Sequence, residues 1–91
     1  MFEKTVRFKG KLYTIVAPSK TASKKYDVYW NDKRVVSFGA RGYQQYHDKI
    51  GFYKKDDHLD KTRRANYRSR HQHDYIDDPT KAGSWSWHFL W

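Results

Sequence analysis

From Thr5 to Ala17 (TVRFKGKLYTIVA) apolar and polar residues alternate, the period of a half-buried strand. Val6 and Phe8 share one face; Leu12, Thr14 and Val16 share one, while Tyr13 and Ile15 point the other way. Gly10 interrupts the run, so it reads as one broken strand or as two short strands around Lys9-Gly10-Lys11. Pro18, which lacks an N–H for a ladder, ends it. Ser19–Lys25 is polar and aperiodic and reads as a mobile loop. Two β-rich runs, YDVYW and RVVSF, then flank Asn31-Asp32-Lys33, residues suited to the left-handed backbone of a tight turn. They predict strands over about Lys25–Trp30 and Arg34–Gly39, with Tyr26, Val28 and Trp30 on one face and Asp27 and Tyr29 on the other.

Beyond the GARG turn the period is lost. YQQYHDKIGFYKK reads as an ordered connector with at most one helical turn, its rings covering the sheet edge or a helix. The helix itself is predicted from about Asp60 to His71. Asp56, Asp57 and Asp60 stand at its start and Lys61, Arg63, Arg64, Arg68 and Arg70 follow, an order that complements the helix macrodipole. Asp57 or Asp60 is the expected N-cap. At roughly 100° per residue, Lys61, Arg64 and Arg68 fall on one face, expected to be exposed. Leu59, Asn66, Tyr67 and Arg70 fall on the other, expected to face inward. The acidic stretch QHDYIDDPTK breaks at Pro79, and its carboxylates are placed to pair with Arg63 or Arg70. In SWSWHFLW, Trp85, Trp87, Phe89 and Trp91 alternate like a strand, yet Trp85/Phe89 and Trp87/Trp91 also fit a helix. The reading favours a short helix with Ser84 as N-cap.

The resulting expectation is a single domain over residues 1–91 of the α+β class. It has a small antiparallel sheet of three to four strands, one central basic helix and a short aromatic C-terminal helix. Aromatics, at 19% of residues, must supply most of its core. There is no cysteine, so disulfides and thiolate metal sites are excluded. No apolar run approaches the roughly 20 residues of a membrane span. The N-terminal MFEKTVRFKG lacks a signal-peptide core, which argues against secretion. The net charge of +9 suggests a polyanionic partner: nucleic acid, an anionic membrane surface or an acidic protein.

Candidate nucleic-acid-binding residues are Lys20, Lys24 and Lys25 in the loop and Lys61, Arg64 and Arg68 on the helix. Exposed rings could stack single-stranded bases, although in so small a chain most rings must be core. Five histidines offer a second chemistry. Asp57, His58, Asn66 and His71 or His73 follow the residue order of a ββα-metal nuclease, so Asp57, His58, His71 and His73 are the alternative metal set. The spacing is short, and satisfied local hydrogen bonds or solvent exposure are the expected explanation of these histidines. No catalytic triad, P-loop or GxGxxG is present, and no cofactor is expected. The adjacent pairs Asp56-Asp57 and Asp77-Asp78 read as caps and turns.

The order FGARGY, HDK, DKTRRANYRSRH and DPTKAGSWSWHFLW resembles a group of small basic proteins encoded by large DNA viruses and tailed phages. They share FG-x-x-x-Y, a D-x-x-R/K-R/K-x-x-Y-x-x-RH helix, and a T-A-G-[FYW]-[SW] stretch closing on LLW or FLW. Here these fall on Phe38, Gly39 and Tyr43; on Asp60, Arg63, Arg64, Tyr67, Arg70 and His71; and on Lys81 to Trp91. The chain departs from the pattern in its longer middle, IGFYKKDD, and in closing at Trp91, where the family often continues. The resemblance implies a viral origin and no particular reaction. It marks Tyr67, Arg70, His71, Trp85 and Trp91 as a shared structural signature, with Arg70 and His71 locking helix to tail. The expected function is a non-enzymatic virion component or nucleic-acid-associated accessory factor, in the virion or host cytoplasm. Its partners would be nucleic acid or an acidic viral or host protein, with self-association or virion neighbours compatible. The alternatives are the metal-dependent nuclease and a module that binds a host protein through its aromatic tail.

Overall fold

Lys9 (φ 54) and Gly10 (φ 80) reverse the chain between the first two strands. Two consecutive left-handed residues give a two-residue hairpin whose twist matches that of its strands. The broken alternation therefore becomes two strands, β1 (Phe2–Phe8) and β2 (Lys11–Ala17), paired from Phe2 opposite Ala17 to Phe8 opposite Lys11. The computed structural model describes residues 2–72 and 76–91. Asn31 (φ 50) and Asp32 (φ 64) repeat the device between β3 (Lys24–Trp30) and β4 (Lys33–Ala40), so Lys33 begins a strand and is not part of the turn. The four strands form an antiparallel meander in the order β1-β2-β3-β4. With two α-helices, α1 (Lys61–His71) and α2 (Ala82–Phe89), this is the expected α+β fold.

The expected strand faces hold except at Trp30, which ends β3 exposed while Tyr26 and Val28 are buried. Phe8, Tyr13, Ile15, Tyr26, Val28 and Phe38 are buried on one side of the sheet. The C-terminal aromatic run closes that side as a helix. Fully buried Trp85 lies 4.6 Å from the Phe8 ring, 5.0 Å from Tyr13 and 5.9 Å from Phe38. Its indole N–H reaches the Pro79 carbonyl at 2.9 Å, so the ring is buried without stranding a donor. Ser84 is not the N-cap: Lys81 holds that position, and Ser84 is buried with its Oγ accepting from the Asp78 N–H.

The Ser19–Lys25 stretch is tied down, not mobile. Asp27, buried on the opposite sheet face, accepts from the Ser19 and Ser37 hydroxyls and from the Lys20 N–H. Arg41 adds bonds to the Lys24 and Ser19 carbonyls. Burial alone would raise the Asp27 pKa; those three donors and the nearby Arg34 charge bring it below the usual carboxylate value.

The connector is held by a second buried carboxylate. Asp48 accepts from the N–H groups of Ile50, Gly51 and Tyr53 and from the Tyr26 hydroxyl. Burial, then that bond, raises the Tyr26 hydroxyl pKa above its usual value. The one helical turn allowed for the connector is a 3-10 turn at Lys54–Asp56.

α1 rests differently from the expectation. Asp60 is its N-cap, with Oδ1 accepting from the Thr62 and Arg63 N–H groups. No residue of α1 is fully buried; Arg64, Tyr67, Arg68 and His71 are its half-buried positions. The inward face is therefore the i, i+3, i+4, i+7 stripe through the arginines. Leu59, Asn66 and Arg70 are exposed. Asp77 pairs with Lys9 at 2.7 Å, Asp78 caps Thr80, and Arg63 instead reaches Gln44; Asp74 lies outside the described residues. Among the described residues, no helix is long and apolar enough to cross a membrane.

Candidate nucleic-acid interface

Asp60 caps the start of α1, and packing against the aromatic tail and connector turns Arg64, Tyr67, Arg68 and His71 toward them. Tyr67 is sandwiched: its ring is 4.3 Å from Trp91 at 4° and 4.2 Å from His71 at 28°. Beside this stack, two guanidiniums converge, Arg64 three residues before Tyr67 and Arg68 directly after it. Arg64 lies 5.0 Å over the Tyr46 ring and Arg68 lies 4.5 Å over Trp87. Both Nε groups point to the main-chain oxygen of Trp91, at 2.7 and 3.4 Å.

The connector adds a third cation. Residues 47–49 lie beside the end of α2, with the His47 N–H donating to the Leu90 carbonyl and the Lys49 N–H to that of Phe89. The Lys49 ammonium then donates to the His88 carbonyl at 3.0 Å. Burial, then Arg68 and Arg64, pull the Lys49 pKa below its ordinary value. The Arg68 guanidinium is likewise lowered, by burial and then by Arg64. Three positive charges thus feel one another directly. Among the described residues no Asp or Glu side chain pairs with any of them. A carboxylate at Trp91 would cancel one charge and a peptide none, so two or three remain. Such a cluster, with N–H donors to spare, is arranged to receive an anion.

The six basic residues singled out from sequence do not form one surface. Lys20 is exposed and lines a groove of about 640 Å³ on the outer sheet face with Leu12, Thr14, Val16 and Tyr29. Lys24 is half-buried at the start of β3. Lys25 is 1% exposed and cannot reach a phosphate. It donates to the Tyr43 carbonyl and Gln45 Oε1 and sits 3.5 Å from Asp56. Lys61 is exposed, whereas Arg64 and Arg68 face inward. Lys49, Tyr46 and Trp87 were not anticipated. No local pattern marks them; only the long-range pairing of residues 47–49 with 89–90 brings them to the arginines.

Of the alternative metal set, the described members Asp57, His58 and His71 do not form a metal-holding group. Asp57 accepts from Gln45, from the Asp48 N–H and lies 3.2 Å from His47 Nδ1. His58 Nδ1 accepts from the Asp60 N–H, and its Nε2 is buried without a partner beside Tyr46 and Trp91. His71 stacks on Tyr67, and His73 lies outside the described residues. Among the described residues no group of three or more His, Cys, Asp or Glu side chains could hold a metal. The residues of the signature find packing roles in four cases of five: Tyr67, His71 and Trp91 stack and Trp85 fills the core, while Arg70 is exposed and bonds no described residue of the tail. The tail is no free aromatic patch, since Trp85 and Leu90 are buried and Trp87, Phe89 and Trp91 are half-buried.

A family of unknown function (DUF5754) matches residues 14–50, the span from within β2 through Ile50 that leaves out both α-helices. No curated protein and no solved structure matches the chain.

Proposed function

We propose that this chain is a non-enzymatic, nucleic-acid-associated accessory domain whose contact is the Lys49–Arg64–Arg68 cluster. The observation that carries the reading is the gathering of three cations at the end of the aromatic tail, Arg64 and Arg68 on the Trp91 oxygen and Lys49 on the His88 carbonyl, with no side-chain carboxylate among the described residues paired to them. The net charge of +9 supports it, because a surplus of that size draws polyanions from a distance. The half-buried rings of Tyr46, Trp87 and Trp91 around the cluster suit unpaired bases better than a duplex groove. On the resemblance of Phe38–Trp91 to viral and phage proteins, we place the factor in a virion or the host cytoplasm.

The test is binding of a labelled single strand, followed by anisotropy and titrated in salt. Three phosphate contacts give a slope of log K against log salt of about −2, and Lys49→Ala flattens it by roughly 0.7. Salt-independent binding, or a slope untouched by Lys49→Ala, would refute the assignment. Cleavage of the strand on addition of divalent metal would overturn the non-enzymatic reading.

A further inference from the structure

The Lys49–Arg64–Arg68 cluster is compact, and compactness bears on which phosphate it takes. Its heads come from two parts of the chain, α1 and the connector: both guanidiniums meet the Trp91 oxygen, and the Lys49 ammonium bonds the His88 carbonyl three residues before it. A groove that follows a nucleic-acid backbone instead sets its cations along a path, one for each singly charged diester. The arginines are also preset. Each has its Nε committed to the Trp91 oxygen and its plane against a ring, and no hydrogen bond among the described residues uses their Nη groups. Lys49 spends one N–H on the His88 carbonyl. The remaining donors surround a site whose uncompensated charge is two or three. A phosphate monoester carries about −1.5 to −2 near pH 7 and offers three strong acceptor oxygens. It matches that charge and donor count where a diester supplies half the charge.

We infer that the cluster is a site for the terminal phosphate of a nucleic-acid strand, an inference that rests on the nucleic-acid reading above. A strand end is favoured over a phosphorylated peptide by the neighbouring rings. Beside Tyr67 and Trp91 opens a cleft of about 330 Å³, lined also by Lys24, Tyr43, Gln44 and Gly83. Trp91 belongs to both features: its oxygen takes the guanidiniums and its residue borders the cleft. A terminal phosphate on the cluster would leave its own base beside an aromatic-lined opening.

The experiment compares one single-stranded sequence with a 5′-phosphate, with a 3′-phosphate, and with hydroxyls at both ends. A phosphoserine peptide and inorganic phosphate are titrated in parallel. The expected result is roughly tenfold tighter binding of at least one phosphorylated strand, the scale of one added charge-assisted hydrogen bond. Lys49→Gln and Arg68→Lys should each shrink that preference toward one, the second by removing the planar fork while keeping the charge. Lys61→Ala, outside the cluster, should retain it. Circular dichroism verifies that each variant is folded. Equal binding of all three strands would overturn the terminal-phosphate inference and leave the nucleic-acid reading standing. Binding of the phosphopeptide with none of any strand would overturn both.

Discussion

Lys25→Met keeps the aliphatic stem of the most deeply buried lysine and removes its charge. In the native protein its ammonium donates to the Tyr43 carbonyl at 2.7 Å and to Gln45 Oε1, faces Asp56 at 3.5 Å and lies 5.6 Å over the Tyr53 ring. The buried Gln45 Oε1 and the partly buried Tyr43 carbonyl then lose a donor, at about 1–3 kcal/mol each, the second toward the low end. Asp56, with its side chain 25% exposed, regains hydration and adds little. Part of the loss is returned. Burial lowers the Lys25 pKa despite the pull of Asp56, so the charge is held at a cost that methionine removes. The net expectation is a destabilisation of about 2–3 kcal/mol. Urea unfolding followed by circular dichroism should show the midpoint falling by roughly 2 M, for a slope near 1 kcal/mol per M. Oligonucleotide binding by the folded variant should be unchanged, because the ammonium is out of reach of any phosphate. An unchanged or raised midpoint would mean that desolvation cancels the bonds and that Lys25 does not hold the connector. Lost binding by a folded Lys25→Met would show the burial argument to be wrong.

Other substitutions probe the remaining joints. Gly39 (φ 81) takes a left-handed backbone where an added Cβ would meet Lys25 Cβ at 3.1 Å and Leu90 Cδ1 at 3.2 Å; Gly39→Ala should cost about 2–4 kcal/mol, and a thermal midpoint within a degree of the parent would contradict that. Asp60→Ala removes the cap of α1 and should cost about 1 kcal/mol, read as a lower urea midpoint, whereas Asp57→Ala should disturb the connector instead. Burial, and then Arg63, lower the His58 pKa below 6.5. Between that lowered value and 6.5 the unfolded chain binds more protons, so this contribution is whole above pH 6.5 and is lost as pH falls below it. His58→Asn, which can keep an acceptor for the Asp60 N–H, should flatten the stability profile between pH 7 and 5.5; an equal slope in both proteins would count against it. The Asp27 pKa is lowered, so its contribution is present above the ordinary carboxylate pKa and lost as pH falls through the folded one; Asp27→Ala should lower the midpoint at pH 7 and leave the variant less sensitive to acid.

Local pattern determined a good deal of this protein. Period-two alternation set the strand faces, because successive side chains on a strand must point opposite ways. Gly10 and Asn31-Asp32 located the turns, since few residues accept a left-handed backbone. Asp60 was readable as a cap because the donors it satisfies lie two and three residues on. The tail was ambiguous by periodicity and became a helix in which Trp85 fills the centre of the sheet's inner face.

The inward face of α1 was decided by tertiary structure alone. Both its faces carry arginines and almost nothing aliphatic, so amphipathicity offered no contrast to orient it. The choice fell to partners distant in sequence: the ring and main-chain oxygen of Trp91 and the rings of Tyr46 and Trp87. Those partners turn Arg64 and Arg68 inward and leave Lys61 outside. The same limit hid the burial of Lys25, a lysine that polar local composition placed in a loop. Its acceptors at Tyr43 and Gln45 come from a connector with no period of its own. Composition along the chain reports which residues need partners. Which partners they find depends on contacts across the fold, and there the candidate site was assembled.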